Sequence, residues 1–252
     1  MIELRNIHKH FGEVVAVDQL SFRVADGSIT GLLGHNGAGK TTALRVLCGL
    51  IRPQRGHAFV DSLDVHANPI VVRRRLGVLP DSRGLYPRLS ARENIAYFGR
   101  LHGMGGDALQ SRINELIELL DLGAVANRRV HGFSQGERMK VAIARAIVHR
   151  PKNIVLDEPT NGLDVMSIRA MRRLIRQLRD EGHCLVFSSH IMQEVAALCD
   201  RIVVVSRGCT VAAGTPQELR ERVGVDSLEE VFVQLSNDTQ PPSLAENREE
   251  DS

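Results

Sequence analysis

Residues Gly34 to Thr42 read GHNGAGKTT. They satisfy the phosphate-loop pattern G-x-x-x-x-G-K-[ST], with Gly34, Gly39, Lys40 and Thr41 at its fixed positions. The chemistry follows from the residue types. In the turn Gly34, His35, Asn36, Gly37, Ala38, Gly39, glycines let successive backbone N–H groups converge on phosphate oxygens, because no Cβ blocks the approach. Lys40 brings a point charge to the β- and γ-phosphates, and the Thr41 hydroxyl is a ligand for Mg²⁺. A helix entered at Thr41 and Thr42 adds its positive N-terminal end to the anion site. The pattern therefore reads as a nucleotide site.

A second acidic element stands far along the chain. Ile154-Val155-Leu156-Asp157-Glu158 is an apolar strand ending in two carboxylates. In nucleotide hydrolases such an Asp holds Mg²⁺ directly or through water, which is the role read for Asp157. Glu158, its neighbour, is where a carboxylate can polarise an attacking water.

The elements that must carry these residues are legible from spacing. Ile29 to Leu33 is a short apolar run fit for a buried strand, and Thr42 to Leu50 continues as a helix. Residues 2 to 26 alternate as strands and close on the turn Asp26-Gly27. His57 to Val60 and Leu76 to Leu79 read as further strands. From about residue 87 to 150 the character is helical. Ser90-x-x-Glu93 and Ser134-x-x-Glu137 are capping boxes that open two of its helices. After Pro151, strands at Asn153 to Leu156, Cys184 to Phe187 and Ile202 to Val205 alternate with helices at Val165 to Asp180 and His190 to Leu198. Thr215-Pro216-x-Glu218 starts another helix, and Leu228 to Leu235 is a further candidate. Strand–helix alternation around a phosphate loop predicts a mostly parallel α/β core. The expected fold is a P-loop NTPase core with an N-terminal antiparallel β-subdomain and an inserted α-helical subdomain. Residues 1–235 form the domain, with 87–150 as its helical insert. The acidic, Pro-bearing segment 236–252 reads as disordered.

Composition narrows the class. The 252 residues suffice for one large domain, and a net charge of +2 with scattered arginines gives no electrostatic case for nucleic acid. The four cysteines, Cys48, Cys184, Cys199 and Cys209, make no C-x-x-C pair and read as small buried hydrophobes of a reducing compartment. His8 and His10 share a strand face without a third ligand at metal spacing, so they read as surface residues. No signal peptide is visible, and no apolar run approaches the ~20 residues of a membrane span. The expected location is cytoplasmic, with any membrane reached through a partner.

A third motif points to a family. Phe133-Ser134-Gln135-Gly136-Glu137, followed by RMKVAIARAI, resembles the signature of ABC-transporter ATPases. Pro159 to Asp164 resembles that family's D-loop, and Ser188-Ser189-His190 its switch-histidine segment. Phe11 sits where the family stacks an aromatic on adenine. The likeness runs from residue 1 to about 235. It implies that Glu158 activates water and that His190 contacts the γ-phosphate and the base. It also implies that Ser134 and Gly136 reach ATP bound on a second copy in a head-to-tail homodimer. Two departures stand out. The signature is FSQGE where LSGGQ is commonest, and Asp81 occupies the place of the Q-loop glutamine. Asp81 can reach Mg²⁺ through water but, ionised, cannot donate to the attacking water.

The stretch from residue 77 to 103 and the closing LEEVFVQL resemble exporter ATPases with separate permeases, particularly the sodium-extruding NatA type. The resemblance implies an ATP hydrolase at the cytoplasmic face of a membrane, peripheral, driving a permease encoded elsewhere. Sodium extrusion and drug or lipid export both stay open. The rivals are a soluble ABC ATPase without a transport role and a nucleotide-binding regulator that does not turn over.

Overall fold

Two sheets share the strands. β1 (Ile2–Phe11) and β2 (Val14–Val24) pair antiparallel, β4 (Arg55–Val60) joins the free side of β1, and β5 (Leu63–Asp64) closes the order β2-β1-β4-β5. Asn6 and Gln19 adopt left-handed backbone, and the β1–β2 register shifts near them. The shift lets Ile7 and Leu20 follow Ile2, Leu4, Phe22 and Val24 into the interior. The computed structural model describes residues 1–82, 84–225 and 227–237. The acidic tail expected from residue 236 lies, beyond Asn237, outside the described residues.

The second sheet comprises β3 (Ile29–Leu33), β6 (Leu76–Leu79), β7 (Asn153–Asp157), β8 (Cys184–Ser189), β9 (Arg201–Ser206) and β10 (Cys209–Gly214). Its order is β10-β9-β3-β8-β7-β6, parallel except where β10 runs antiparallel to β9. The inner strands are apolar on both faces, as sheets covered twice must be. Period-two alternation sorts them. Leu32, Val155, Val186 and Val203 face the antiparallel sheet and helix α1 (Lys40–Leu47). Leu33, Leu156, Phe187 and Val204 face the opposite core, which the later helices fill.

Those helices are α3 (Ala91–Leu101), α4 (Gly106–Leu119), α5 (Gln135–Ile147), α6 (Val165–Asp180), α7 (Met192–Leu198), α8 (Pro216–Val223) and α9 (Leu228–Asn237). The short α2 (Pro69–Arg75) precedes β6. Ser90 and Ser134 both form complete capping boxes with Glu93 and Glu137, so α3 and α5 begin where the sequence signals place them. On α6, Met171, Leu174, Ile175 and Leu178 are buried at three- and four-residue spacing. The fold is thus the expected α/β core with an antiparallel sheet and an inserted run of helices. α2, β5 and β10 were not expected. β5 has two residues and β10 is partly exposed, so neither carries a strong periodic signal.

Candidate ATP site

The parallel sheet aligns its strand ends. Leu33 is paired with Ser189, and Asp157 with Ser188. The segments leaving β3, β7 and β8 therefore emerge side by side, at the carboxyl end where open α/β sheets bind ligands. One carries the phosphate loop, the next Glu158, the third His190. Leu79, at the end of β6, is paired with Leu156 and brings Asp81 to the same edge.

Within the loop, Gly37 and Gly39 have positive φ of 82° and 100°. Gly39 is the N-cap of α1, and a Cβ there would meet the Ala16 carbonyl at 2.4 Å. The helix opens at Lys40, two residues earlier than expected, because the left-handed glycine ends the turn. No side chain caps it, so its first N–H groups face the cavity. That cavity of about 520 Å³ is lined by Val14 to Ala16, Asn36 to Thr42, Asp81, Glu158, Asn161 and His190. An adjoining cavity of about 540 Å³ shares Asp81, Glu158 and Asn161.

Lys40 is 5% exposed. Its Nζ donates to the carbonyls of Gly34 at 2.7 Å and His35 at 3.1 Å, and lies 3.5 Å from Glu158 Oε1. Burial draws its pKa down, against the charges of Glu158 and Asp157. Glu158 Oε2 accepts from His190 Nδ1 at 3.0 Å. Thr41 Oγ1 donates to Asp157 Oδ1 at 3.2 Å, and Ser188 Oγ donates to the same oxygen at 2.6 Å. Burial pushes the Asp157 carboxyl up, and the charges of Asp81 and Glu158 act in the same direction; the hydrogen bonds from Ser188 and Thr41 hold it down.

The donor chemistry fits Mg²⁺. A hydroxyl and a buried carboxylate at hydrogen-bond distance are hard oxygen ligands, and Mg²⁺ takes one or two of these and leaves its other positions to water and phosphate. Thr41 and Asp157 would be those donors, and Asp81 lines the cavity with Thr41.

Several expected residues lie apart. Ser134 is exposed at the N-terminus of α5 and Gly136 follows it; neither lines the phosphate-loop cavity of its own chain. Phe11 is 52% exposed at the end of β1, beneath Lys9 Nζ at 5.0 Å from its ring centroid. His190 stands on the bend before α7, not within a helix, which frees its ring to reach Glu158. Ser188 is the residue whose importance the sequence hid. Its Oγ accepts from the Glu158 N–H at 3.0 Å while donating to Asp157. Only β7–β8 register reveals that bond.

The ABC transporter family profile matches residues 17–161. The chain is 42% identical over 238 residues to the ABC transporter ATP-binding protein NatA of Bacillus subtilis, covering 92% of this chain and 97% of that one. It is 38% identical over 229 residues to the Nod factor export ATP-binding protein I of Burkholderia lata, covering 90% and 75%. Among solved structures, a dimeric post-hydrolysis ATP-binding cassette bound to ADP and Pi superposes with a TM-score of 0.78 at 25% identity, covering 85% of this chain and 98% of that one.

Proposed function

The chain belongs to the ABC transporter family as an ATP-binding subunit that hydrolyses ATP, and from that premise we propose that it energises export through a separate integral membrane permease. The observation that carries the site reading is one line of contacts, Lys40 to Glu158 at 3.5 Å and Glu158 to His190 at 3.0 Å, beside the Thr41–Asp157 pair. In this reading the nucleotide phosphates lie along His35 to Thr42, and Phe11 stacks on adenine. Thr41 and Asp157 hold Mg²⁺, with Asp81 reaching it through water. When bound, the ion neutralises charge developing on the β- and γ-phosphates. Glu158 takes the proton of the attacking water, and His190 orients that carboxylate and contacts the γ-phosphate.

Two copies face head to tail, so that the α5 N-terminus at Ser134 and Gly136 meets ATP held by the other. The dimeric cassette bound to ADP and Pi supports this arrangement. The ATPase domain covers residues 1–235, and the permease is gripped near the helical subdomain, from about 87 to 150, and the segment around Asp81 to Tyr86. The chain works at the cytoplasmic face of a membrane. Among the described residues no helix is long and apolar enough to cross one, which suits a peripheral subunit. Sodium is the first cargo to test, on the resemblance to the NatA type. The Nod factor relative favours a second reading, in which a drug or lipid is exported.

The test is purification of the tagged chain from its native membrane with an ATPase assay on the product. A multi-span partner that stimulates hydrolysis is expected. Glu158→Gln should bind ATP and dimerise while turning over at least roughly a hundredfold more slowly. A soluble, active chain without a membrane partner would shift the reading to a non-transport ATPase.

A further inference from the structure

Behind the reacting edge lies a carboxylate that the scheme above does not use. Glu194, in the first turn of α7, is 1% exposed. Its Oε2 accepts a short hydrogen bond from Thr160 Oγ1 and a second from Ser189 Oγ at 3.4 Å. Among the described residues its Oε1 meets no donor. Thr160 stands two residues beyond Glu158, on the loop leaving β7. Ser189 ends β8 immediately before His190, and its Oγ also accepts from the Ile191 N–H at 3.0 Å. A single buried oxygen therefore ties together the two loops that carry Glu158 and His190.

We propose that Glu194 is a positioning residue for ATP hydrolysis, setting the spacing of the Glu158 and His190 loops without touching nucleotide. The proposal rests on Glu158 acting as the base. Stability alone does not account for Glu194. A buried carboxylate with one oxygen unpaired carries a desolvation cost that its hydrogen bonds to Thr160 and Ser189 offset only in part. Geometry does account for it. Glu158 has a φ of 49°, left-handed for a residue with a side chain. Such a conformation persists only where its surroundings over-determine it. Ser188 holds the Glu158 N–H from one side, and the Thr160–Glu194 bond anchors the same loop two residues on. A reacting group displaced by about 1 Å loses on the order of a hundredfold in rate.

The experiment compares full-length Glu194→Leu, Glu194→Gln, Thr160→Val and Glu158→Gln for kcat, KM for ATP and thermal midpoint. Glu194→Leu leaves the buried Thr160 and Ser189 hydroxyls without their acceptor, so its midpoint should fall by a few degrees. Assayed well below that midpoint, its kcat should drop roughly 10- to 100-fold with KM within about threefold. Glu194→Gln keeps the acceptor oxygen and should restore most of that turnover. Thr160→Val removes the same bond from its other end. It should match the leucine variant, and the double variant should lose no more than either one. Thr160→Val also carries the test if Glu194→Leu does not accumulate. Full kcat in Glu194→Leu or in Thr160→Val overturns the proposal. So does a loss of kcat that merely follows a lower midpoint, or a glutamine variant as slow as the leucine one. Glu158→Gln separates the two readings. If it stays active, the base assignment fails and the positioning role with it. If it is inactive while Glu194→Leu is active, only the positioning role fails.

Discussion

At Asp157 binding chemistry and stability pull in opposite directions. The carboxylate is 5% exposed and its pKa is raised by burial, so its charge burdens the fold in the absence of the proposed Mg²⁺. Asp157→Asn keeps an acceptor for Ser188 and Thr41 and removes that charge. It should raise the stability of the nucleotide-free protein by about 1 kcal/mol and abolish Mg²⁺-dependent turnover. Chemical denaturation without magnesium, paired with an ATPase assay, reads both effects. Lys40, Thr41, Asp157 and Glu158 were all legible in the sequence, because phosphate and metal chemistry tolerates few residue types at fixed spacing. Ser188 and Glu194 were not, because each acts through a partner distant in the chain.

At the scale of elements, β3 and α7 are held together by an absence. A Cβ at Gly31 would lie 2.5 Å from Cys199 Sγ and 2.7 Å from Val195 Cγ1. Gly31→Ala should therefore destabilise the protein by about 1–3 kcal/mol, measured as a lower urea midpoint at unchanged slope. Its effect on turnover should be larger than that of an equally destabilising change in the antiparallel sheet, because the phosphate loop leaves β3 and the bend carrying His190 leads into α7. Helix α5 offers a second test. Ser134 Oγ accepts from the Glu137 N–H, so Ser134→Ala should cost about 1 kcal/mol of stability even in a monomer. An ATPase loss much greater than that stability change, seen only where dimers form, would locate Ser134 at the second nucleotide. Helix starts were readable wherever a side-chain cap exists, as at Ser90 and Ser134. The start of α1 was not, because Gly39 caps by conformation and leaves no side-chain signal.

At the scale of the molecule, the helical insert is pinned to the sheet through His149. Its Nε2 donates to the Leu76 carbonyl at 3.0 Å, and its ring stacks on His102 at 3.5 Å between centroids. Burial, with the charges of His102 and Arg112 acting in the same direction, lowers its pKa to about 4; the bond to Leu76 opposes them. The unfolded chain, with a histidine near 6.5, binds the proton more readily than the folded one. Stability from this group is thus complete above 6.5 and declines as pH falls towards 4. The site is partly exposed, so screening leaves roughly 1 to 2 kcal/mol of that change. His149→Gln should flatten this part of the acid limb in denaturation curves recorded at several pH values. His102→Gln, which leaves the Leu76 bond, should alter it less.

What the sequence by itself determined was local chemistry and period. The phosphate loop, the strand ending in two carboxylates, the capped helices and the alternating strands each lie within a few consecutive residues, where steric and hydrogen-bonding rules act directly. Tertiary structure decided which of these pieces meet. Parallel pairing of β7 with β8 sets Ser188 against Asp157, the bend before α7 turns His190 onto Glu158, and packing of α7 beneath both loops buries Glu194 between them. None of those contacts has a sequence signal, because each joins residues 30 or more positions apart and depends on strand order and register.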